Sequence, residues 1–127
     1  MFKFAAVLAL AASPALGAGL EIDVAGEANG TIVIDLYEET APLHVAQITA
    51  IAQAGSYDGV VFHRVIDGFM AQTGDVENGV MGMDLSRAGT GGSEFADIPA
   101  EFSDLPFERG VIGMARAQDP NSANSQF

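Results

Sequence analysis

The chain has no cysteine, and only five of its 127 residues are Lys or Arg. The first absence removes a disulfide framework, a thiolate zinc site and a cysteine nucleophile. A folded domain must then be held by core packing alone. Against the five basic residues stand 17 Asp and Glu, for a formal charge of −12. A protein that tracks nucleic-acid phosphates needs a basic face, so that class is disfavoured. Docking on an anionic membrane surface is disfavoured for the same reason. Long apolar runs are also lacking: Phe4 to Ala12 falls short of the about 20 residues that a bilayer span takes. What is present is an ordinary globular apolar fraction, 49%. It is too high for a disordered chain and fits one domain. No repeat, low-complexity tract or long linker interrupts it.

The first residues have the pattern of an export leader. Met1-Phe2-Lys3 is a short positive start, Phe4 to Ala12 an apolar run, and Ser13-Pro14 a break. Ala15-Leu16-Gly17 puts small residues where a signal peptidase reads them, with Ala18 following. The expectation is a signal peptide over 1–17, cleavage near Gly17/Ala18, and a periplasmic or secreted product. The alternative for this run is a buried N-terminal helix. Removing residues 1–17 takes Lys3 away and moves the charge to −13, four basic against 17 acidic residues.

Beyond the leader, Leu20, Ile22 and Val24 alternate with Glu21 and Asp23, as in a half-buried strand. Asn29-Gly30 predicts a tight hairpin turn, followed by the alternation Ile32, Ile34, Leu36. A helix is predicted over 41–54. Thr40 would be its N-cap, Pro42 lies in its first turn, and Val45, Ile48, Ile51 and Ala52 make its apolar stripe. Gly55 is placed to end it in a left-handed conformation. Tyr57-Asp58-Gly59 reads as a turn, Val60 to Ile66 as a strand, Asp67-Gly68 as a turn and Phe69 to Thr73 as a strand. Residues 74–93, rich in Gly, read as a long exposed loop. Pro99 and Pro106 forbid a long helix over 94–109, and Val111 to Ala115 reads as a further strand. One helix among short antiparallel strands predicts a mainly β barrel or sandwich with a helical cap.

The densest chemistry lies between Val61 and Asp75. Arg64 sits inside an apolar strand, either as a snorkelling edge residue or as a charge held for use. Met70 and Gln72 share one strand face by the period of two. An aromatic, a thioether, an amide and a guanidinium could converge there, a set suited to an apolar ring flanked by a peptide carbonyl. The bland reading, an ordinary core strand, stands beside it. His63 next to Arg64 invites a general-base role, but the strand alternation turns it away, so a structural or rim role is expected. His44 is expected to be solvated, as are the scattered acidic residues, which show no metal-loop spacing. Gly89, Gly91 and Gly92 do not precede a helix with phosphate-loop spacing, so nucleotide binding is not expected.

As a string, Phe62-His63-Arg64, Gly68-Phe69-Met70, Gln72 and Gly74-Asp75 resembles the signature of cyclophilin-type peptidyl-prolyl isomerases. Gly110 to Ala117 followed by Asn121 to Phe127 resembles a second stretch of that family, and Ile98-Pro99-Ala100-Glu101-Phe102 its bacterial branch. The likeness runs from about Ile22 to Phe127. It implies an eight-stranded antiparallel barrel with capping helices and a reaction at the Xaa–Pro bond of extended peptides, with no metal or cofactor. Arg64 aligns with the catalytic arginine, and Phe69 and Met70 with walls of the proline pocket. Gln72 aligns with the glutamine that holds the substrate carbonyl. Ala115, Arg116 and Ala117 align with the strand edge that pairs with the substrate, and Gln126 with a polar residue of the pocket. Position 116 departs from the asparagine of many eukaryotic members. The resemblance also implies that the last third of the family domain lies beyond Phe127. Implied partners are proline-containing unfolded polypeptides, with no nucleic acid, no membrane insertion once the leader is gone, and a monomer when complete. The alternative from another class is a proline-peptide-binding or holdase-like module without turnover, or an inactive fragment.

Overall fold

The computed structural model describes residues 2–8 and 17–127. Strands β1 (Phe2–Leu8), β2 (Ala18–Val24) and β3 (Gly30–Asp35) form one antiparallel sheet in that order. The alternation in β2 does what it predicts: Leu20 and Ile22 are buried while Glu21 and Asp23 are exposed. The hairpin turn corrects the expectation. Val24 pairs with Gly30, so the connection is the loop 25–29 and not a two-residue Asn29-Gly30 turn. Asn29 is still what closes it. Its Oδ1 accepts the Gly26 N–H at 3.2 Å and its Nδ2 donates to the Gly26 carbonyl at 3.1 Å. An Asn side chain standing in for backbone partners favours this longer loop.

The apolar run at the start of the chain is not a helix over residues 2–8. It is a third strand, registered against β2 from Phe2↔Val24 to Leu8↔Ala18. The residues that would precede the expected cleavage point, Ala15 and Leu16, lie outside the described residues.

Helix α1 (Pro42–Gln53) covers the sheet with Ile48, Ile51 and Ala52 buried. Gly55, at φ +76°, takes the left-handed conformation that closes it. The N-terminal cap differs from the expected Thr40. Ala41 holds the cap position and has no side chain to offer. The orphan N–H groups are met from far along the chain by Glu101, whose carboxylate accepts Leu43 N–H at 3.1 Å and His44 N–H at 2.8 Å. His44 itself is not solvated: its ring bonds Glu101 and its side chain is 12% exposed. Leu20, Ile22, Ile34, Ile48, Ile51, Ala52, Tyr57 and Val60 form the core. Burying one such aliphatic side chain is worth about 1.5–3 kcal/mol.

The second half of the chain has little regular structure. The two strands predicted around Asp67-Gly68 shorten to β4 (Arg64–Ile66) and β5 (Met70–Gln72), a two-stranded ladder. Val60 keeps only a bridge to Val80. Residues 111–115 do not form the predicted strand: Ala115 N–H bonds the Gln126 carbonyl, but Val111 and Ile112 are exposed with no strand beside them among the described residues. Thus the architecture is mainly β with one helix, and the described strands do not close a barrel.

Candidate functional site

The β4–β5 ladder pairs Arg64 with Gln72 and Ile66 with Met70. Directly opposed residues of an antiparallel pair share a face. Arg64, Met70 and Gln72 therefore face one way, as the period of two predicted for the last two. The hairpin turns at Asp67-Gly68, closed by Phe69 N–H on the Ile66 carbonyl at 3.0 Å. This leaves Phe69 at the tip, 72% exposed. The Arg64 residue is exposed, and its side chain makes no hydrogen bond or ion pair within the described residues. Its guanidinium donors remain open to a ligand.

Gln126 is brought to this ladder by a strand-like pairing of the chain end. Thr73 and Phe127 exchange backbone hydrogen bonds in both directions, at 2.9 and 3.0 Å. Two features hold residues 125–127 there. Tyr57, fully buried, donates its hydroxyl to the Ser125 carbonyl at 2.6 Å and stands edge-on to Phe127, with ring centroids 5.7 Å apart. Burial pushes the Tyr57 phenol well above its ordinary pKa, so it stays a donor. Gly74, at φ +97°, admits the close approach: a Cβ there would lie 2.5 Å from the Ser125 oxygen. Gln72 Nε2 then donates to Gln126 Oε1 at 3.0 Å, and Gln126 Nε2 to the Gly91 carbonyl at 2.8 Å. The result is a polar line from Arg64 through Gln72 and Gln126 to Gly91.

Ala115 joins from the other side of Gln126, through its N–H on the Gln126 carbonyl at 2.9 Å. Ala117 N–H donates to the Ser122 hydroxyl, and its carbonyl accepts from Arg116 Nη1. The Arg116 guanidinium is thus folded back on its own loop, reaching the Gln118 carbonyl as well. Of these three residues, only Arg116 keeps a backbone N–H without a partner among the described residues.

The Gly-rich loop after β5 departs from its prediction. Its tip is exposed, but Asp75, Asn78 and Gly79 at its base are buried. Asp75 was read as one of many solvated acids and is fully buried instead. Its Oδ1 accepts N–H from Glu77 and Asn78 at 3.1 and 2.8 Å, and its Oδ2 from Gly89 and Gly91 at 2.7 and 3.0 Å. Burial opposes its ionisation. The four N–H groups outweigh that and hold its carboxyl below the ordinary value. The signal was available: Asp followed by Asn three residues on, in a Gly-rich stretch, favours side-chain-closed turns. The glycine N–H groups that might have cradled a phosphate cradle this carboxylate.

His63 lies beneath the ladder against Gly89 and is half-buried. Its Nδ1 is buried without a hydrogen-bond partner. Burial lowers its pKa; the Asp75 charge opposes the lowering, and the smaller effect of Arg64 adds to it. Burial thus disfavours the charged imidazole. The described residues hold no group of three or more His, Asp or Glu placed for a metal ion. They include no helix long and apolar enough to cross a membrane. Two open grooves, of about 350 and 390 Å³, flank helix α1 and include none of the predicted site residues.

Comparison with known proteins gives a consistent result. The family profile described as cyclophilin type peptidyl-prolyl cis-trans isomerase/CLD matches residues 20–127. A probable peptidyl-prolyl cis-trans isomerase of Brucella suis is 59% identical over 101 residues, covering 78% of this chain and 52% of that protein. A peptidyl-prolyl cis-trans isomerase of Synechococcus elongatus is 41% identical over 98 residues, covering 77% and 60%. The peptidyl-prolyl isomerase CWC27 of Cryptococcus neoformans is 36% identical over 121 residues, covering 92% and 22%. The chain thus spans about half the length of the Brucella relative.

Proposed function

The chain belongs to the cyclophilin-type peptidyl-prolyl cis-trans isomerase family, and from that premise we propose that it accelerates rotation about Xaa–Pro bonds in extended polypeptides. Twisting the amide loses its resonance, a barrier of about 18–20 kcal/mol. Catalysis needs no nucleophile and no metal, only a surface that favours the twisted amide over both planar forms. Arg64 supplies it. Its planar fork donates to the prolyl nitrogen as that atom becomes pyramidal and gains a lone pair, an interaction absent from the planar amide. A Lys could not reproduce the bidentate planar geometry. Phe69 and Met70 contact the proline ring, Gln72 holds the substrate carbonyl, and the edge over Ala115, Arg116 and Ala117 takes the peptide backbone by strand addition. The observation that carries this reading is the cross-strand pairing of an unpartnered Arg64 with Gln72, itself held by Gln126.

The same reading places residues 18–127 in an eight-stranded barrel with capping helices, supported by the order of hairpin, helix and second hairpin. Residues 1–17 act as a leader that sends the product to the periplasm or outside, where it assists folding of exported chains as a monomer. The motif order at the N-terminus supports this. A protease-coupled assay on a proline-containing peptide, run on the full gene product, tests the activity. Arg64→Ala is expected to lower kcat/KM by about a hundredfold or more, as for loss of a transition-state donor. Full rate in that variant would remove Arg64 from its role. Binding of proline peptides without acceleration would favour the holding module instead.

A further inference from the structure

One residue with no role in the reaction as described stands at the root of the polar line. Asn124 has two N–H donors and an oxygen with two lone pairs, and all four are engaged. Its Oδ1 accepts the Ser93 N–H at 2.8 Å and the Ser93 hydroxyl at 2.6 Å. Its Nδ2 donates to the Phe95 carbonyl and to Asp97 Oδ1, both at 3.0 Å. Its own carbonyl accepts from Gln47 Nε2 at 3.0 Å, and the same amide reaches the Ala96 carbonyl at 3.1 Å. Helix α1, segment 93–97 and segment 124–127 are thereby fastened at one point.

Two rungs join the segments. Asn124 meets Ser93, and two residues along in each direction Gln126 meets Gly91. The Gly91 carbonyl decides how the Gln126 amide is turned, because only its NH₂ end can donate there. The Oε1 end must then face Gln72, so Gln72 turns its NH₂ toward Gln126. That leaves the Gln72 oxygen unengaged on the residue paired with Arg64. A flip of one amide would propagate to the next. The outer rung rests on a single hydrogen bond, whereas Asn124 makes four with its side chain.

We propose that Asn124 is a positioning residue: by pinning segment 93–97 it fixes the Gly91 carbonyl, which sets the amide orientation of Gln126 and, through it, of Gln72 beside Arg64. This rests on the Arg64 face being the isomerase site. The test is a double-mutant cycle on the full gene product, read by kcat/KM and by NMR of the Gln72 and Gln126 side-chain amides. Asn124→Ala is expected to lower kcat/KM by about tenfold, the scale of a small misplacement at a reacting centre. The same change in a Gln126→Ala background is expected to add less than about twofold, because coupled residues do not act additively. In Asn124→Ala the Gln126 and Gln72 NH₂ signals should shift and exchange faster. Ser93→Ala, which removes the hydroxyl's bond to Asn124 at 2.6 Å and the longer one it accepts from Phe95 N–H at 3.2 Å, keeps the Ser93 N–H on Asn124 and gives a milder variant with the same direction if Asn124→Ala does not fold. Equal losses in both backgrounds, or unmoved amide signals in a folded variant, would reduce Asn124 to a structural bond and overturn the proposal. An inactive wild type would instead count against the isomerase reading, and the amide signals would still decide whether Asn124 orients Gln126.

Discussion

The hairpin and helix over residues 18–55 and the site region over residues 60–127 are ordered by different physics. In the first, apolar side chains at strand and helix periods meet in one core, with Leu20, Ile22, Ile48 and Ile51 each at most 4% exposed. In the second, exposed apolar residues are common, among them Val65, Phe69, Phe102 and Phe107. Order there comes from single polar side chains that each bind several backbone groups. Asp75 gathers four N–H groups, and Asn124 joins Ser93, Phe95 and Asp97. Area-based packing tolerates a change at its rim. A hub does not, because removing one side chain takes the partner from several groups at once. The site region gains defined geometry from this with little regular structure, which suits a surface that must hold a few donors in place.

That contrast is sharpest at Asp75. Asp75→Ala is expected to destabilise by about 3–5 kcal/mol, since four N–H groups lose a charged partner in a buried place. Thermal melts check the magnitude, and amide hydrogen exchange at Gly89 and Gly91 checks where the loss falls. The pH dependence has a definite sign. A carboxyl whose folded pKa is depressed stabilises above its unfolded value, and that contribution is lost as pH falls through the folded value. Protection at Gly89 and Gly91 should therefore hold at neutral pH and fall away below the ordinary carboxylate value of 3.8, and Asp75→Asn should abolish the dependence. Leu20→Ala should cost about 2–5 kcal/mol by transfer and cavity terms, with no matching acid dependence. If the two variants showed the same pH profile, the contrast between the regions would fail. Glu101→Gln bridges them and should have a smaller effect, about 1 kcal/mol, from a weakened cap on helix α1. Exchange of the Leu43 and His44 amides would report it directly.

What was legible in the sequence follows the same division. Periodicity marks residues that pack by area, so β2, β3, the helix over Pro42–Gln53 and its end at Gly55 stand at or near their predicted places. The turn at Asn29 was misjudged by length because its side chain bridges the loop in a way a dipeptide rule does not contain. Thr40 was misjudged as the cap because its replacement, Glu101, is distant in sequence. Asp75 and His44 were read as solvated because a charged or polar residue reveals its burial only once its partners are known. In the site, strand alternation correctly put Met70 and Gln72 on one face. The position of Gln126 beside Gln72 depends on a contact 54 residues apart and entered only through the family likeness. Asn124 gave no signal at all, since the three residues its side chain bonds lie 27 to 31 residues away.

Arg64 should separate stability from activity, because it is exposed and its side chain bonds nothing in the described residues. Arg64→Ala should leave the melting transition within about 0.5 kcal/mol of the wild type. The decisive measurement is two-dimensional NMR exchange on a proline-containing peptide with catalytic amounts of the full gene product, wild type against Arg64→Ala. The account predicts cis–trans exchange cross-peaks with the wild type, where uncatalysed exchange takes tens to hundreds of seconds, and their loss in a variant that melts normally. Undiminished cross-peaks in a folded Arg64→Ala protein would contradict it.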